Sequence, residues 1–198
     1  MLRSVGMSHV ILFHHALGLT SGVEAFAGEL RGAGHTVSLP DLFDGDTFAT
    51  LDEGVGHVDS VGVEALLRAG AGFASGDSTR TVYGGFSLGA LVAHKLAQTD
   101  PSAEGALLYH YGDVPMSLFG DSWPRKVPVQ LHISEYDEWR EPGVVEGFVE
   151  AVQAFAPAQL FEYRGAAHLF TDSTSEEFDP DASALLIERT KDFLSTLA

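Results

Sequence analysis

The sequence predicts an α/β fold in which a mostly parallel central sheet is covered by helices on both faces, as a three-layer sandwich. Short apolar runs alternate with amphipathic helical patterns along nearly the whole chain, which is typical of parallel sheets. Hydrophobic residues make up 45% of the chain and charged residues 20%, the composition of an ordinary globular protein. A length of 198 residues suits one hydrophobic core, so we expect one domain over residues 1–198.

The first elements follow one another closely. The continuous apolar run at residues 10–13 predicts a strand buried on both faces. Ser21 and Glu24 have the spacing of a capping box, so we expect a helix to begin there. A short strand is predicted at residues 36–39, and the acidic, glycine-rich segment 41–56 is predicted to be a surface loop near the site.

The alternation continues to the end of the chain. We expect helices at residues 61–69, 88–97 and 144–155 and strands at residues 81–83, 106–109, 129–133 and 160–163. Asp179 and Pro180 supply an N-cap and a first-turn proline for a terminal helix. In such a fold, ligands bind at the carboxyl ends of the strands.

Charge narrows the choice of partners. The chain has 28 Asp and Glu against 11 Lys and Arg, a formal net charge of −17. This charge repels phosphate backbones and anionic lipid surfaces, so we expect neither nucleic acid nor a membrane as partner. A neutral small molecule is the easier substrate to accommodate.

The absence of cysteine excludes disulfides, thiolate metal sites and a cysteine nucleophile. The amino terminus has no small-residue cleavage pattern, and histidines interrupt its apolar stretch, so we predict no signal peptide. No run approaches the roughly 20 apolar residues that span a bilayer. These observations predict a cytoplasmic protein; the oligomeric state is left open.

The chemistry-bearing motif is Gly85-Phe86-Ser87-Leu88-Gly89, a match to G-x-S-x-G. Such a short motif also occurs by chance as a plain glycine turn. Here it directly follows a predicted strand and directly opens a predicted helix, the setting that exposes a serine hydroxyl at the edge of a sheet. Ser87 is therefore the predicted nucleophile.

A serine nucleophile needs a base, and the base needs a third group to orient it. Asp137 and His168 each follow a predicted strand at its carboxyl end. The order Ser87, Asp137, His168 is the chain order of α/β-hydrolases. Glu135 and Glu138 are neighbouring acids that could instead be the orienting group, and both Asp137 and His168 could be ordinary loop residues.

Acyl transfer also requires donors for the developing oxyanion. We predict the backbone N–H groups of Leu88 and Ala16, with His15 beside the site. The candidate pocket residues are His15, Phe86, Tyr111 and Trp139. His14 and His15 raise the alternative of a metal site, but neighbouring strand residues point to opposite faces and no metal-ligand spacing accompanies them, so we predict no metal and no cofactor.

The sequence resembles the dienelactone hydrolase family over nearly its whole length. The likeness is carried by HHALG at residues 14–18, PDLF at 40–43, GFSLG at 85–89, Asp137, and YRGAAHLF at 163–170, the most specific segment. The resemblance implies an α/β-hydrolase fold. It also implies the same site residues: Ser87, Asp137 and His168, with oxyanion donors at Leu88 and Ala16.

The chain departs from that family's pattern at three positions. Dienelactone hydrolases proper have a cysteine nucleophile and an acidic residue where this chain has Ser87 and His15. They bind an anionic lactone with arginines, one of them at the position of Asp172. These departures favour a carboxylic ester or lactone without charge as the substrate.

We therefore expect a serine hydrolase that cleaves a small neutral ester or lactone through an acyl-serine intermediate. Two alternatives remain open at the level of sequence. The same triad could act on thioesters or transfer acyl groups, and nothing in the sequence separates these reactions. A catalytically silent α/β-hydrolase could instead serve as a binding module, although a complete triad argues against this.

Overall fold

A computed structural model of the protein describes residues 7–76 and 79–197. Its strands are β1 (His9–Phe13), β2 (Thr36–Ser38), β3 (Thr81–Phe86), β4 (Ala103–Tyr109), β5 (Val129–Ser134) and β6 (Ala158–Tyr163). Its helices are α1 (Ser21–Gly32), α2 (Leu51–Val61), α3 (Val63–Ala71), α4 (Leu88–Thr99), α5 (Val144–Gln153) and α6 (Pro180–Thr196). Residues 1–6, on which part of the signal-peptide prediction rests, lie outside this description.

The six strands form one sheet in the order β2-β1-β3-β4-β5-β6. Every neighbouring pair is parallel. Side chains of β1 alternate between the two faces, as the pleat requires: Val10 and Leu12 pack in the core beneath α1 and α6, while Ile11 and Phe13 pack in the core beneath α2 to α5. The predicted α/β fold, a parallel sheet with helices on both faces, is confirmed.

The strand order explains where a site can form. β1 has β2 on one side and β3 on the other, so the connections after β1 and β3 leave toward different neighbours. In open α/β sheets, a crevice opens at such a point, at the carboxyl ends of the strands. The loop after β1 contains Ala16, and the turn after β3 contains Ser87.

Local structure differs from prediction at the start of α1. The residue that caps the helix is Thr20, whose hydroxyl accepts a hydrogen bond from the N–H of Val23. The prediction that Ser21 begins a capping box with Glu24 is therefore wrong by one position. The Thr20 hydroxyl also donates a hydrogen bond to Asp172, which lies far away in the sequence.

The sequence predicted a loop over the whole of segment 41–56, but part of this segment is helical. Helix α2 begins at Leu51, with a capping box formed by Thr50 and Glu53. Glycines at positions 54 and 56 weaken the helical pattern of this segment, but the caps and the packing of Val58 in the core stabilise the helix. Val61 ends α2, and Gly62, at φ 86°, separates it from α3.

Among residues 7–76 and 79–197, no helix is long and apolar enough to cross a bilayer.

Candidate active site

Ser87 lies at a sharp turn between β3 and α4. Its backbone has φ 50° and ψ −112°, a strained conformation for a residue with a side chain. The turn depends on its two flanking glycines. A side-chain carbon at Gly85 would collide with the backbone of Gly89, and one at Gly89 would collide with the carbonyl of Phe13. Small residues thus let α4 approach both β3 and β1 closely enough to present the hydroxyl.

The structure places Ser87, His168 and Asp137 in one hydrogen-bonded chain. The Ser87 Oγ lies 2.8 Å from Nε2 of His168. On the other side of the ring, Nδ1 of His168 lies 2.8 Å and 3.0 Å from the two carboxylate oxygens of Asp137. Since an ionised carboxylate only accepts, Nδ1 carries the proton, and Nε2 is left to accept from the serine hydroxyl. The three residues come from the ends of β3, β5 and β6.

Asp137 is itself held in place. Its Oδ1 accepts a hydrogen bond of 2.9 Å from the N–H of Trp139. Both Asp137 and His168 are buried. The neighbouring acids Glu135 and Glu138 are exposed.

Ser87 opens onto a cavity of about 200 Å³. This volume lies below the roughly 300–1,000 Å³ of pockets that hold drug-sized ligands. Apolar side chains dominate its wall: Ala16, Leu51, Val55, Val58, Val63, Leu88, Leu91, Val114 and Trp139. The cavity therefore suits a small, largely apolar ligand.

Two predicted backbone donors lie beside the cavity. Leu88 is the first residue of α4, and the first N–H groups of a helix have no acceptor within it. Ala16 lies on the loop after β1, and it lines the same cavity as Ser87 and Leu88. The positive end of the α4 dipole also lies beside Ser87, where it would stabilise a negative charge.

The four predicted pocket residues divide into two pairs. Tyr111 and Trp139 line the cavity. His15 and Phe86 are not among the residues that line it. Phe86 packs with Phe26 and Tyr109 in the core beneath α1 and α6. Its position next to the nucleophile turns it to the opposite face of the sheet from the cavity.

His15 is buried against Asp172 instead. The N–H of Leu17 donates to Nδ1 of His15, so Nε2 carries the proton and donates to Asp172 over 2.7 Å. Burial opposes the charge on Asp172, but hydrogen bonds from His15, Thr174 and Thr20 outweigh it and hold the pKa of Asp172 well below its usual value. Two of the three residues that depart from the family pattern, His15 and Asp172, are therefore partners in one buried pair.

His110 is a cavity residue that the sequence analysis did not select. It follows β4, adopts φ 54°, and accepts or donates at Nε2 with the hydroxyl of Thr171, 2.8 Å away. Its buried Nδ1 has no hydrogen-bond partner. Burial, with a smaller contribution from the charge of His168, holds the pKa of His110 well below its usual value, so the ring is neutral. Its place directly after a parallel strand was the signal that could have found it.

No group of three or more His, Asp or Glu side chains arranged to hold a metal ion occurs within residues 7–76 and 79–197.

A model of the dienelactone hydrolase family matches residues 3–198 of the chain. No curated protein matches the sequence. Solved structures share the fold at low identity. A Klebsiella pneumoniae protein provisionally named a dienelactone hydrolase is 20% identical, with a TM-score of 0.75 over 96% of this chain and 87% of its own.

Two proteins from metagenomic libraries also share the fold. A dienelactone hydrolase-like promiscuous phosphotriesterase is 19% identical, with a TM-score of 0.75 over 98% of this chain and 88% of its own. A cold-adapted esterase from an Arctic intertidal library is 18% identical, with a TM-score of 0.64 over 96% of this chain and 83% of its own.

Proposed function

The chain belongs to the dienelactone hydrolase family, and from this premise we propose that it cleaves a small neutral carboxylic ester or lactone through an acyl-Ser87 intermediate. Membership of the family makes it a hydrolase of ester bonds. One observation carries the finer proposal: the hydrogen-bonded chain from Ser87 Oγ through His168 to Asp137.

In the first half of the reaction, Ser87 Oγ forms a bond to the ester carbonyl carbon while Nε2 of His168 takes the hydroxyl proton. The tetrahedral intermediate then breaks its bond to the leaving oxygen, which receives that proton from His168. In the second half, His168 takes a proton from water, whose oxygen attacks the acyl carbon. Release of the acid returns the proton to Ser87. Asp137 holds the imidazole in the required orientation throughout.

The oxyanion of each tetrahedral intermediate requires donors already in place. In this proposal, the donors are the backbone N–H groups of Leu88 and Ala16. Their support is the position of both residues on the cavity wall beside Ser87, one at a helix N-terminus. Because backbone donors remain fixed during the reaction, they need no reorganisation when charge develops.

The size and polarity of the cavity support a small uncharged substrate. Neither Lys nor Arg is among the residues that line it, so it offers no cation to hold a carboxylate or phosphate. The net charge of −17 disfavours anions further. The apolar walls contributed by α2, α3 and α4 would receive the acyl group.

A fluorophosphonate probe tests the assignment of Ser87 directly, because it reacts with an activated serine. The folded protein would be labelled, its intact mass measured, and the adduct located by peptide sequencing. We expect a single adduct on Ser87, and none in heat-denatured protein or in Ser87→Ala. Ser195→Ala is the matched control, since Ser195 is exposed on α6 and should leave labelling unchanged.

A parallel assay would compare short oxygen esters with thioesters of the same acyl group. Loss of turnover in Ser87→Ala with unchanged thermal stability supports the acyl-serine route. Retained turnover in a clean Ser87→Ala preparation would exclude Ser87 as the nucleophile. Absence of any adduct and of any turnover would instead support the binding-module alternative.

A further inference from the structure

The mouth of the cavity carries an acid without a basic partner. The ionisable side chains of the wall, besides the catalytic candidate His168, are His110, Tyr111 and Asp113. Burial keeps His110 and Tyr111 neutral, because it lowers the pKa of His110 and raises that of Tyr111, so Asp113 is the acid of the wall. Asp113 is exposed, and it takes part in none of the ion pairs formed by residues 7–76 and 79–197. The proximity of His168 lowers the pKa of its carboxyl group, against the overall rise. A charged group on a bound substrate would therefore meet this carboxylate first.

The surroundings of Asp113 are negative as well. Partial desolvation raises the pKa of its carboxyl group, a backbone hydrogen bond and His168 lower it, and the charges of Glu141 and Asp137 add smaller increases. The nearby cation Arg140 does not offset them, because its guanidinium forms ion pairs with Glu146 and Glu162. Two loops meet here, joined by a hydrogen bond of 3.0 Å from the N–H of Glu141 to the carbonyl of Gly112.

An aromatic side chain also lines this cavity. Trp139 is 40% exposed, although it lines the cavity. Its ring centroid lies 5.8 Å from that of His168. A tryptophan ring and a carboxylate on the wall of one small cavity are a favourable setting for an ammonium group, which is attracted both by the charge and by the face of the ring.

From this arrangement we propose that the mouth of the cavity is a cation subsite. Among esters of equal size, the protein prefers those whose leaving alcohol carries an ammonium group close to the ester oxygen, with Asp113 as the specificity-determining residue. The proposal rests on the proposed function and deepens it: the acyl group occupies the apolar end of the cavity, and the alcohol lies between Asp113 and Trp139. Uncharged esters remain substrates, and anionic esters are the poorest.

The size of the preference follows from the partial exposure of the site. Two unit charges several ångströms apart at a protein surface interact only modestly, and salt weakens the interaction further. A preference of about threefold to tenfold in kcat/KM is therefore expected at low ionic strength, decreasing as salt is added.

The test compares two isosteres with the same acyl group: a choline ester and the 3,3-dimethylbutyl ester, in which carbon replaces the quaternary nitrogen. Measurements at about pH 8 keep carboxyl groups ionised. The ratio of the two kcat/KM values should exceed one in the wild type and fall toward one in Asp113→Asn. Glu150→Gln, an exposed residue on α5, removes the same charge elsewhere and should keep the wild-type ratio.

A binding measurement separates this inference from the proposed function. Phenyltrimethylammonium and its uncharged isostere tert-butylbenzene would be titrated against the tryptophan fluorescence of wild type and Asp113→Asn. Hydrolysis of both esters at equal rates would overturn the cation subsite and leave the proposed function standing. If neither ester is cleaved, the proposed function fails, and the cation subsite survives only if the cation binds more tightly than its isostere and loses that advantage in Asp113→Asn.

Discussion

Asp172 is a buried carboxylate that accepts hydrogen bonds from His15, Thr20 and Thr174. Through these contacts it joins the loop after β1, which contains Ala16, to the segment that follows His168. Removing a buried carboxylate that is fully hydrogen-bonded lowers the free energy of unfolding by several kcal/mol, because its partners stay buried without an acceptor. The pair thus stabilises the two loops that border the site.

Asp172→Asn should therefore lower the free energy of unfolding by about 2–4 kcal/mol. The amide has only one acceptor oxygen, and its NH₂ group faces the donors of its former partners. Urea denaturation measures the change. Asp192→Asn, on the exposed face of α6, is the matched control and should alter stability by less than about 0.5 kcal/mol. Equal changes in the two variants would show that the pair contributes little.

Asp137→Asn addresses the orientation of His168. An amide in place of the carboxylate presents a donor to Nδ1, which favours the ring tautomer with the proton on Nε2, where it cannot accept from Ser87. We expect kcat to fall by about 10³- to 10⁴-fold with little change in thermal stability.

The neighbouring acids provide the control for this prediction. Glu135→Gln and Glu138→Gln alter exposed side chains and should retain activity within about twofold. If Glu138→Gln were as inactive as Asp137→Asn, the orienting acid would have to be reassigned.

At the scale of elements, α2 packs against the loop that contains a proposed oxyanion donor. Gly54 lies on α2 so close to the carbonyl group of Ala16 that a side-chain carbon there would overlap it. Leu51, Val55 and Val58 on the same helix line the cavity. The helix therefore both covers the acyl end of the cavity and supports the loop after β1.

Gly54→Ala should displace α2 or the Ala16 loop, with a loss of stability of about 1–3 kcal/mol and a fall in kcat of about tenfold or more. Gly56→Ala is the control within the same helix, because nothing lies within 4 Å of the added carbon. It should stabilise the protein by about 0.5–1 kcal/mol without changing kcat. Parallel measurements of kcat and urea denaturation decide the matter; equal effects of both alanines would contradict the proposed support.

At the scale of the whole molecule, several buried histidines make stability depend on pH. Burial lowers the pKa of His14 and His94 to about 4 and that of His132 to about 3. His14 illustrates the cause: its Nδ1–H donates to the carbonyl of His15, and its Nε2 accepts from the N–H of Leu42, so protonation would break a bond.

The direction of the effect follows from proton binding. In the unfolded chain these histidines have a pKa of about 6.5, so below that pH they bind protons that the folded protein does not bind. The free energy of unfolding therefore falls as the pH decreases toward 4. Asp172 acts in the same direction at lower pH. Its pKa is depressed in the folded state, so its contribution is complete above a pH of about 4 and is lost as the pH falls below it.

We therefore expect the free energy of unfolding to decrease by about 1.4 kcal/mol per pH unit for each such histidine between about pH 6 and pH 4.5. His94→Phe removes one such histidine and should reduce that slope by about 1.4 kcal/mol per pH unit, whatever its effect on absolute stability. Urea denaturation over this pH range gives the slope. The same slope in variant and wild type would show that His94 is not one of the titrating groups.

The sequence by itself determined the features that depend on local rules. Alternating apolar runs and helical patterns predicted the confirmed fold, because strand and helix periodicities are properties of short segments. Glycines at 85 and 89 marked the turn at Ser87 for a steric reason, and the positions of Asp137 and His168 after strands placed them at one edge of a parallel sheet.

Only the tertiary structure decided which side chains meet across that edge. His15 and Asp172 are 157 positions apart, and their pairing depends on the loops after β1 and β6 approaching each other. That residues of α2, His110 and Asp113 line the cavity likewise depends on packing between elements. A short segment of sequence contains no information about which distant residues will contact it. Periodicity and steric rules act over a few residues, whereas the shape and charge of the cavity are set by strand order and by contacts between loops that are remote in the chain.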